Sequence, residues 1–264
     1  MKDEKLIEVK NLKTYYINKK GLFKKKLDIV KAVDGVSFFI KRGESYCVVG
    51  ESGSGKTTLG RSIINLIPIT EGKILFNGDN IYEIKKEEKK KIRRKMQVVF
   101  QDPFSSLNPR KTIGSLLIEP LLFHKLMNKK EAKEKAMNIL EKVGLKIDSF
   151  YKYPHEFSGG QRQRIGIARA LILEPEFILL DEPVSSLDVS IQAQILNLLK
   201  KLQKDFNLTY LFIAHNLNVV RFFGDRVAVM YNGKFVEEGE VKKIFEKPEH
   251  PYTKKLLSAI PQIK

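Results

Sequence analysis

Gly50-Glu51-Ser52-Gly53-Ser54-Gly55-Lys56-Thr57 is the stretch that decides the fold. It fits G-x-x-x-x-G-K-[ST] in full, after a buried-strand pattern at residues 45–49 and before a helical pattern from about Lys56 to Leu66. Glycines let the backbone wrap an anion with successive N–H groups turned inward, and the helix that starts here adds the positive end of its dipole. In this arrangement Lys56 reaches the β- and γ-phosphates of a nucleotide and Thr57 offers its hydroxyl to Mg²⁺. The candidate phosphate-binding residues are Gly50, Glu51, Ser52, Gly53, Ser54, Gly55, Lys56, Thr57 and Thr58.

Downstream, Phe177-Ile178-Leu179-Leu180 reads as a buried strand ending in two carboxylates, Asp181 and Glu182. An acidic pair after an apolar strand is commonly a strand end plus a turn. Beside a phosphate loop it reads as chemistry, Asp181 holding the Mg²⁺ shell and Glu182 polarising the attacking water.

Other strand patterns lie at residues 6–12, 29–33, 36–40, 73–76, 96–100, 209–214, 226–231 and 234–238, and helical patterns at 87–95, 160–173, 191–206 and 216–223. Residues 18–28 read as a basic loop or hairpin tip. Residues 102–157 hold two or three helical patterns punctuated by Pro103, Pro109, Pro120 and Pro154, with little strand signal. The alternation predicts an α/β P-loop fold with a mostly parallel sheet, an N-terminal antiparallel β subdomain and an inserted helical subdomain. The expected organisation is one domain over 1–264: an ATP-binding core at 1–101 and 159–240, the helical insert at 102–158, and a short helical tail at 241–264.

The chain has 264 residues, 42% hydrophobic and 30% charged, enough for a full core and unlike a disordered chain. Its net charge of +17 suits an acidic partner surface, nucleic acid or an anionic membrane leaflet, and equally a Lys-rich solvated face. The single cysteine, Cys47, lies in an apolar run and reads as a buried thiol. One cysteine excludes an internal disulfide and a Cys-based zinc or iron–sulfur site. The N-terminus carries no signal-peptide pattern and no run approaches the roughly 20 apolar residues of a membrane span, so a cytosolic chain reaching the membrane through a partner is expected.

Ser158-Gly159-Gly160-Gln161-Arg162-Gln163-Arg164 resembles the signature sequence of ABC ATPases. A Ser cap and two glycines before a helix make a second anion-ready terminus. By that resemblance, Ser158, Gly159, Gly160 and Gln161 face the γ-phosphate held by a partner subunit. The remaining family parts follow in order. Tyr16 lies where the family stacks an aromatic ring on adenine, with Tyr15 the alternative. Gln101 matches the glutamine that meets Mg²⁺ and the attacking water. Ser186-Leu187-Asp188 looks like the loop that crosses the dimer interface, and His215 matches the switch histidine on the γ-phosphate. A lone His at a strand end is ordinarily structural, but here it stands in register with the other motifs.

Gln101-Asp102-Pro103-Phe104-Ser105-Ser106-Leu107-Asn108-Pro109-Arg110, Tyr153-Pro154-His155-Glu156-Phe157 and the tail Pro248-Glu249-His250-Pro251-Tyr252-Thr253, followed by residues 256–261, resemble the ATPases of peptide and nickel importers. Some members of that group run past this tail with a cysteine cluster; none is present here and no iron–sulfur role is expected. Phe157 stands where many ABC proteins have Leu, an apolar exchange that should be tolerated.

The resemblance implies ATP hydrolysis with Mg²⁺, in which Lys56, Gln101, Glu182 and His215 are catalytic and Thr57, Gln101 and Asp181 hold the metal. It implies a head-to-tail dimer with a second ABC ATPase, a paralogue being favoured, two permease subunits, and indirectly an extracellular substrate-binding protein. The permease contact is expected near residues 104–107 and the helix after them. The place is the cytoplasmic face of the membrane, and no nucleic-acid partner is expected, because no long coiled coil or cysteine-rich module accompanies the charge. The expected cargo is oligopeptide or dipeptide; nickel import, an exporter and a nucleic-acid- or ribosome-bound ATPase are the alternatives.

Overall fold

The structure, a computed structural model, describes residues 4–20, 26–102 and 107–259. In chain order the strands are β1 (Lys5–Lys20), β2 (Lys26–Lys41), β3 (Ser45–Val49), β4 (Glu71–Phe76), β5 (Asp79–Asn80), β6 (Met96–Val99), β7 (Phe177–Asp181), β8 (Thr209–Ala214), β9 (Arg226–Tyr231) and β10 (Lys234–Glu240). The contacts divide the chain into two compact units, Met1–Ile92 with Thr209–Lys264, and Arg93–Leu208.

The first unit holds an antiparallel sheet in the order β2-β1-β4-β5. It also holds parallel pairing: β3 lies between β8 and β9 and runs parallel to both, while β10 returns antiparallel on β9. Every residue of β3 and β8 is buried, as strands covered on both faces must be. Cys47 is fully buried, as its apolar run implied. The Phe38 ring of β2 stacks on Tyr46 of β3 at 4.9 Å, and the Arg226 guanidinium lies 4.6 Å from the centre of the Phe39 ring. These contacts tie the antiparallel sheet to the parallel strands within the unit.

Several readings of this unit are corrected. The strand expected at 6–12 runs on to Lys20, and the strands expected at 29–33 and 36–40 are one strand from Lys26 to Lys41 with register shifts. Of the loop or hairpin tip expected at 18–28, residues 18–20 and 26–28 are strand in the antiparallel pair of β1 and β2, and residues 21–25 lie outside the described residues. The helix expected to reach Leu66 ends at Ile63.

The second unit pairs β6 parallel with β7 and is otherwise helical, with helices Ile113–Phe123, Lys129–Lys142, Gly159–Leu171 and Val189–Phe206 and short 3₁₀ turns at Ile147–Tyr151 and Pro154–Glu156. The longest helix buries Ile195, Leu196, Leu198, Leu199 and Leu202, a single stripe at three-to-four spacing, and ends on Asn207 in the left-handed region. Helix Lys129–Lys142 starts with a reciprocal capping box between Asn128 and Glu131. Helix Ile113–Phe123 continues through Pro120, and the Ile113 N–H donates to Lys152 O at 2.8 Å.

Gly114 sits in this helix where an added Cβ would lie 2.5 Å from the Phe150 ring. Gly→Ala in an open helix stabilises by up to about 1 kcal/mol. Here the sign reverses: Gly114→Ala destabilises by roughly 1–3 kcal/mol through overpacking, read as a lowered denaturation midpoint.

Candidate nucleotide-binding site

The parallel register sets the site. Val49 pairs with Ala214 on one side and with Val229 on the other, so Gly50, His215 and Met230 follow at adjacent strand ends. Ligands of open parallel sheets bind at such carboxyl ends. Helix Lys56–Ile63 begins at Gly55, whose φ is 108° and whose Cβ would stand 2.0 Å from Ala32 O. Only glycine fits that conformation and that approach. No side chain caps this helix and no acidic residue lies in its first turn, which leaves N–H groups and the dipole for an anion. Gly53, at φ 79°, has open space within 4 Å of where its Cβ would be, so the loop has a clear side. Lys56 is 5% exposed, and its Nζ donates to Gly50 O and to Glu51 O, both at 2.8 Å. Thr57 and Thr58 follow in the first turn, partly exposed, and His215 is exposed just before the Asn216 cap of helix Leu217–Phe223.

The loop is tied to the antiparallel sheet. Asp34 N–H donates to Gly233 O at 2.8 Å, and Gly233 N–H donates to Ser54 O at 3.0 Å. The same segment of β2 faces the two tyrosines, with Lys31 opposite Tyr15 and Val30 opposite Tyr16. The Tyr15 hydroxyl donates to Asp34 Oδ1, which raises the phenol pKa and lowers that of the carboxyl. Tyr16 is 43% exposed. Its ring is the available stacking face, while Tyr15 is engaged.

In the second unit, Val99 pairs with Leu180, so Gln101 and Glu182 leave parallel strands side by side. Gln101 Nε2 donates to Glu182 Oε2 at 3.3 Å. Asp181 is 3% exposed at the strand end and Glu182 is partly exposed. Glu182 has φ 49°. The other non-glycine residues in this region are asparagines, apart from Lys125 and Glu174, so a glutamate here marks strain held by its surroundings. Both Ser185 N–H and Ser185 Oγ–H donate to the Glu182 carbonyl, at 3.3 and 3.1 Å.

The signature residues form a second helix terminus. The Ser158 hydroxyl accepts from Gln161 N–H at 3.4 Å while Gln161 Oε1 accepts from Ser158 N–H at 3.0 Å. Ser158 and Gly159 are exposed, and Phe157 is buried, as an apolar replacement for Leu should be. Asp188 is exposed and caps helix Val189–Phe206, its Oδ1 accepting from Ile191 N–H at 2.9 Å. A Cβ on Gly160 would stand 2.5 Å from Ile191 Cγ2, so signature and Asp188 loop are packed together.

Thr57, Gln101 and Asp181 would offer only oxygen donors, hydroxyl, amide and carboxylate, the set that suits Mg²⁺ in company with phosphate oxygens and water. Among the described residues no group of three His, Cys, Asp or Glu side chains could hold a metal by itself. One contact was not foreseen. Glu51 N–H donates to the Tyr252 hydroxyl at 3.1 Å, joining the phosphate loop to helix Pro251–Ser258 across 201 residues.

Comparison with known proteins shows the family. The model of the ABC transporter family matches residues 33–185, more than half of the chain. The chain belongs to the ABC transporter family. As such it binds nucleotide and is an ATPase. A model described as the oligopeptide/dipeptide transporter C-terminal region matches residues 236–264. The oligopeptide transport ATP-binding proteins AppF and OppF of Bacillus subtilis are each 54% identical, over 98% of this chain and 79% and 83% of their own lengths. The dipeptide transport ATP-binding protein DppF of Haemophilus influenzae is 51% identical, over 98% of this chain and 79% of its own. Among solved structures, the dimeric ATP-binding cassette MJ0796 in a post-hydrolysis state with ADP and Pi superposes with a TM-score of 0.77 at 33% identity, covering 89% of this chain and 98% of that one.

The strain at Glu182 is testable apart from activity. Replacing it with Ala removes the carboxylate and keeps a Cβ at positive φ; replacing it with Gly removes both. Glu182→Gly should unfold at higher denaturant than Glu182→Ala, by roughly 0.5–1 kcal/mol, in equilibrium unfolding of the two variants.

Proposed function

We propose that this ABC ATPase powers import of oligopeptides or dipeptides through a membrane permease. The observation that carries the reading is the C-terminal region at 236–264, whose family model is described by that transport class, together with 51–54% identity to peptide-transport ATP-binding proteins along nearly the whole chain.

In the proposed mechanism the loop amides of residues 50–56 and the first turn of helix Lys56–Ile63 hold the phosphates, and the Lys56 ammonium exchanges its two carbonyl partners for phosphate oxygens. Tyr16 stacks on the adenine. Glu182, bonded to Gln101, aligns the attacking water, and His215 contacts the γ-phosphate. Mg²⁺, when bound to Thr57, Gln101 and Asp181, would neutralise charge on the phosphates. Phosphoryl transfer asks for positioning and charge neutralisation more than for covalent chemistry, and these residues supply both.

Ser158, Gly159, Gly160, Gln161 and Asp188 serve the nucleotide of a second ATPase in a head-to-tail dimer. The exposure of Ser158, Gly159, Gln161 and Asp188 on two capped helix termini supports this, as does the dimeric state of MJ0796. The second ATPase is a paralogue, two permease subunits receive the pair on the cytoplasmic face, and an extracellular binding protein delivers the peptide. Among the described residues no helix is long and apolar enough to cross a membrane, so in this reading the permease provides the membrane contact. It docks at the helical insert. Of the stretch first assigned to that contact, Phe104, Ser105 and Ser106 lie outside the described residues. The helix that follows presents Phe123 at 75% exposure and Leu122 at 39%, beside a groove lined by Ser115, Ile118 and Glu119.

Two outcomes test the reading. Glu182→Gln abolishes ATP turnover but still closes on the partner ATPase in ATP, seen by size-exclusion chromatography; normal hydrolysis by this variant would remove Glu182 from its role. Phe123→Asp, in the reconstituted complex, lowers peptide uptake several-fold while the isolated subunit hydrolyses ATP at its normal rate. Unchanged uptake would place the permease elsewhere. Purification of the chain from native membranes should bring down a second ATPase and two permease subunits, and recovery of ribosomes or nucleic acid instead would overturn the import reading.

A further inference from the structure

Helix Pro251–Ser258 is fastened to the unit that carries the phosphate loop. Glu237 of β10 accepts from Glu249 N–H at 2.8 Å and from His250 N–H at 3.0 Å, and His250 Nδ1 accepts from Tyr252 N–H at 3.1 Å, capping the helix. The Tyr252 ring is 9% exposed and packs on Tyr231, at the end of β9, with ring centres 4.3 Å apart. Its hydroxyl accepts from Glu51 N–H at 3.1 Å, and Lys255 Nζ lies 4.0 Å from Glu51 Oε1. Glu51 is the second residue of the phosphate loop, and its carbonyl is one of the oxygens that hold the Lys56 ammonium.

We propose that Tyr252 is a positioning residue for ATP: its hydroxyl pins the Glu51 peptide, so that the C-terminal helix sets the geometry of the phosphate loop. The inference rests on the reading of this loop as the ATP site. The physical argument is preorganisation. A glycine-rich loop is costly to order, and the cost falls on the binding step unless the folded chain has already met it. Tyr252 fastens the loop at its entry, Gly233 N–H fastens Ser54 O at its middle, and helix Lys56–Ile63 fixes its exit. The carbonyls of Gly50 and Glu51 then hold Lys56 inside the loop, ready for exchange onto phosphate. Tyr252 is the one of these fasteners that the C-terminal tail supplies. It therefore places nucleotide affinity under the control of a segment whose family model is described as the oligopeptide/dipeptide transporter C-terminal region.

The test compares the full chain with Tyr252→Phe and Lys56→Ala, using a fluorescent ATP analogue for binding, steady-state hydrolysis for KM and kcat, and hydrogen exchange at the Glu51 amide without nucleotide. Tyr252→Phe keeps the ring on Tyr231 and removes the acceptor. Its Kd and KM should rise about three- to tenfold, the range of one ordinary hydrogen bond, with kcat changed less than about twofold. The Glu51 amide should exchange faster, while the melting temperature stays near that of the parent chain. Lys56→Ala should lose binding. If Lys56→Ala loses binding and Tyr252→Phe keeps the parent Kd and the parent Glu51 exchange, the positioning role is overturned and the ATP site stands. If Lys56→Ala binds ATP as well as the parent, the ATP reading of the loop falls and this inference with it.

Discussion

A polyphosphate concentrates several negative charges in a few ångströms, and a protein that holds it must aim fixed dipoles at one point. The direction of those dipoles here is decided by β3. It is buried along its length and hydrogen-bonded on both sides by parallel strands, so the chain leaves it at one place and in one direction. Gly50 to Gly55 then close back onto Ala32, Met230 and Gly233, approaches that only glycines or bare peptides permit. The helix that follows has no side-chain cap and no acid in its first turn. In the proposed mechanism its N-terminal amides and dipole face the phosphates.

The acidic half obeys a different constraint. In the proposed mechanism the carboxylate that aligns water is held off the strand line, and Glu182 adopts a left-handed conformation one residue beyond buried Asp181. The backbone turn is supported by two hydrogen bonds from Ser185 to its carbonyl, and the carboxylate is met by Gln101 from the neighbouring strand. Strain and support are adjacent, which is the arrangement expected where geometry matters more than stability.

What the residues alone revealed follows the same physics. β3, β8 and β9 appear at the bounds read from the sequence, because continuous apolar runs have no other stable place than a covered sheet. The outer part of β1, residues 13–20, and the start of β2 at 26–28 were missed. The missed part of β1 carries lysines and exposes Tyr16 and Ile17, so no alternation announces a core face. The pairing of β1 with β2 here comes from the ladder between them, continuous from Tyr15 opposite Lys31 to Lys20 opposite Lys26, and a ladder needs no apolar side chains. The phosphate loop and the Asp181-Glu182 pair were legible because each is a local motif placed at a strand end, whereas Gln101 was assigned by resemblance and its bond to Glu182, across 81 residues, was not read. The Tyr252–Glu51 bond was not, since a hydrogen bond across 201 residues leaves no spacing in the sequence to be read.

The two helix termini proposed for nucleotide contact are not in the same condition, and the difference fits their roles. At Lys56 the terminus is uncapped, with a buried ammonium inside the loop in front of it. At Ser158 the terminus is closed by its own capping box, and Asp188 likewise caps the helix whose first turn packs against Gly160. A terminus that meets its ligand in its own subunit can be left open, because the ligand arrives without any assembly step. A terminus that waits for a partner must be satisfied meanwhile, or it would attract whatever anion came first. Of the two bonds in the Ser158 box, the one from Gln161 N–H to the hydroxyl is long, 3.4 Å, and so is inexpensive to surrender. The hydroxyl can turn to a phosphate oxygen while Gln161 still holds the Ser158 amide. In the proposed dimer, capping and phosphate recognition use the same atoms, which is why the sequence displays the residues but not the state in which the lone subunit keeps them.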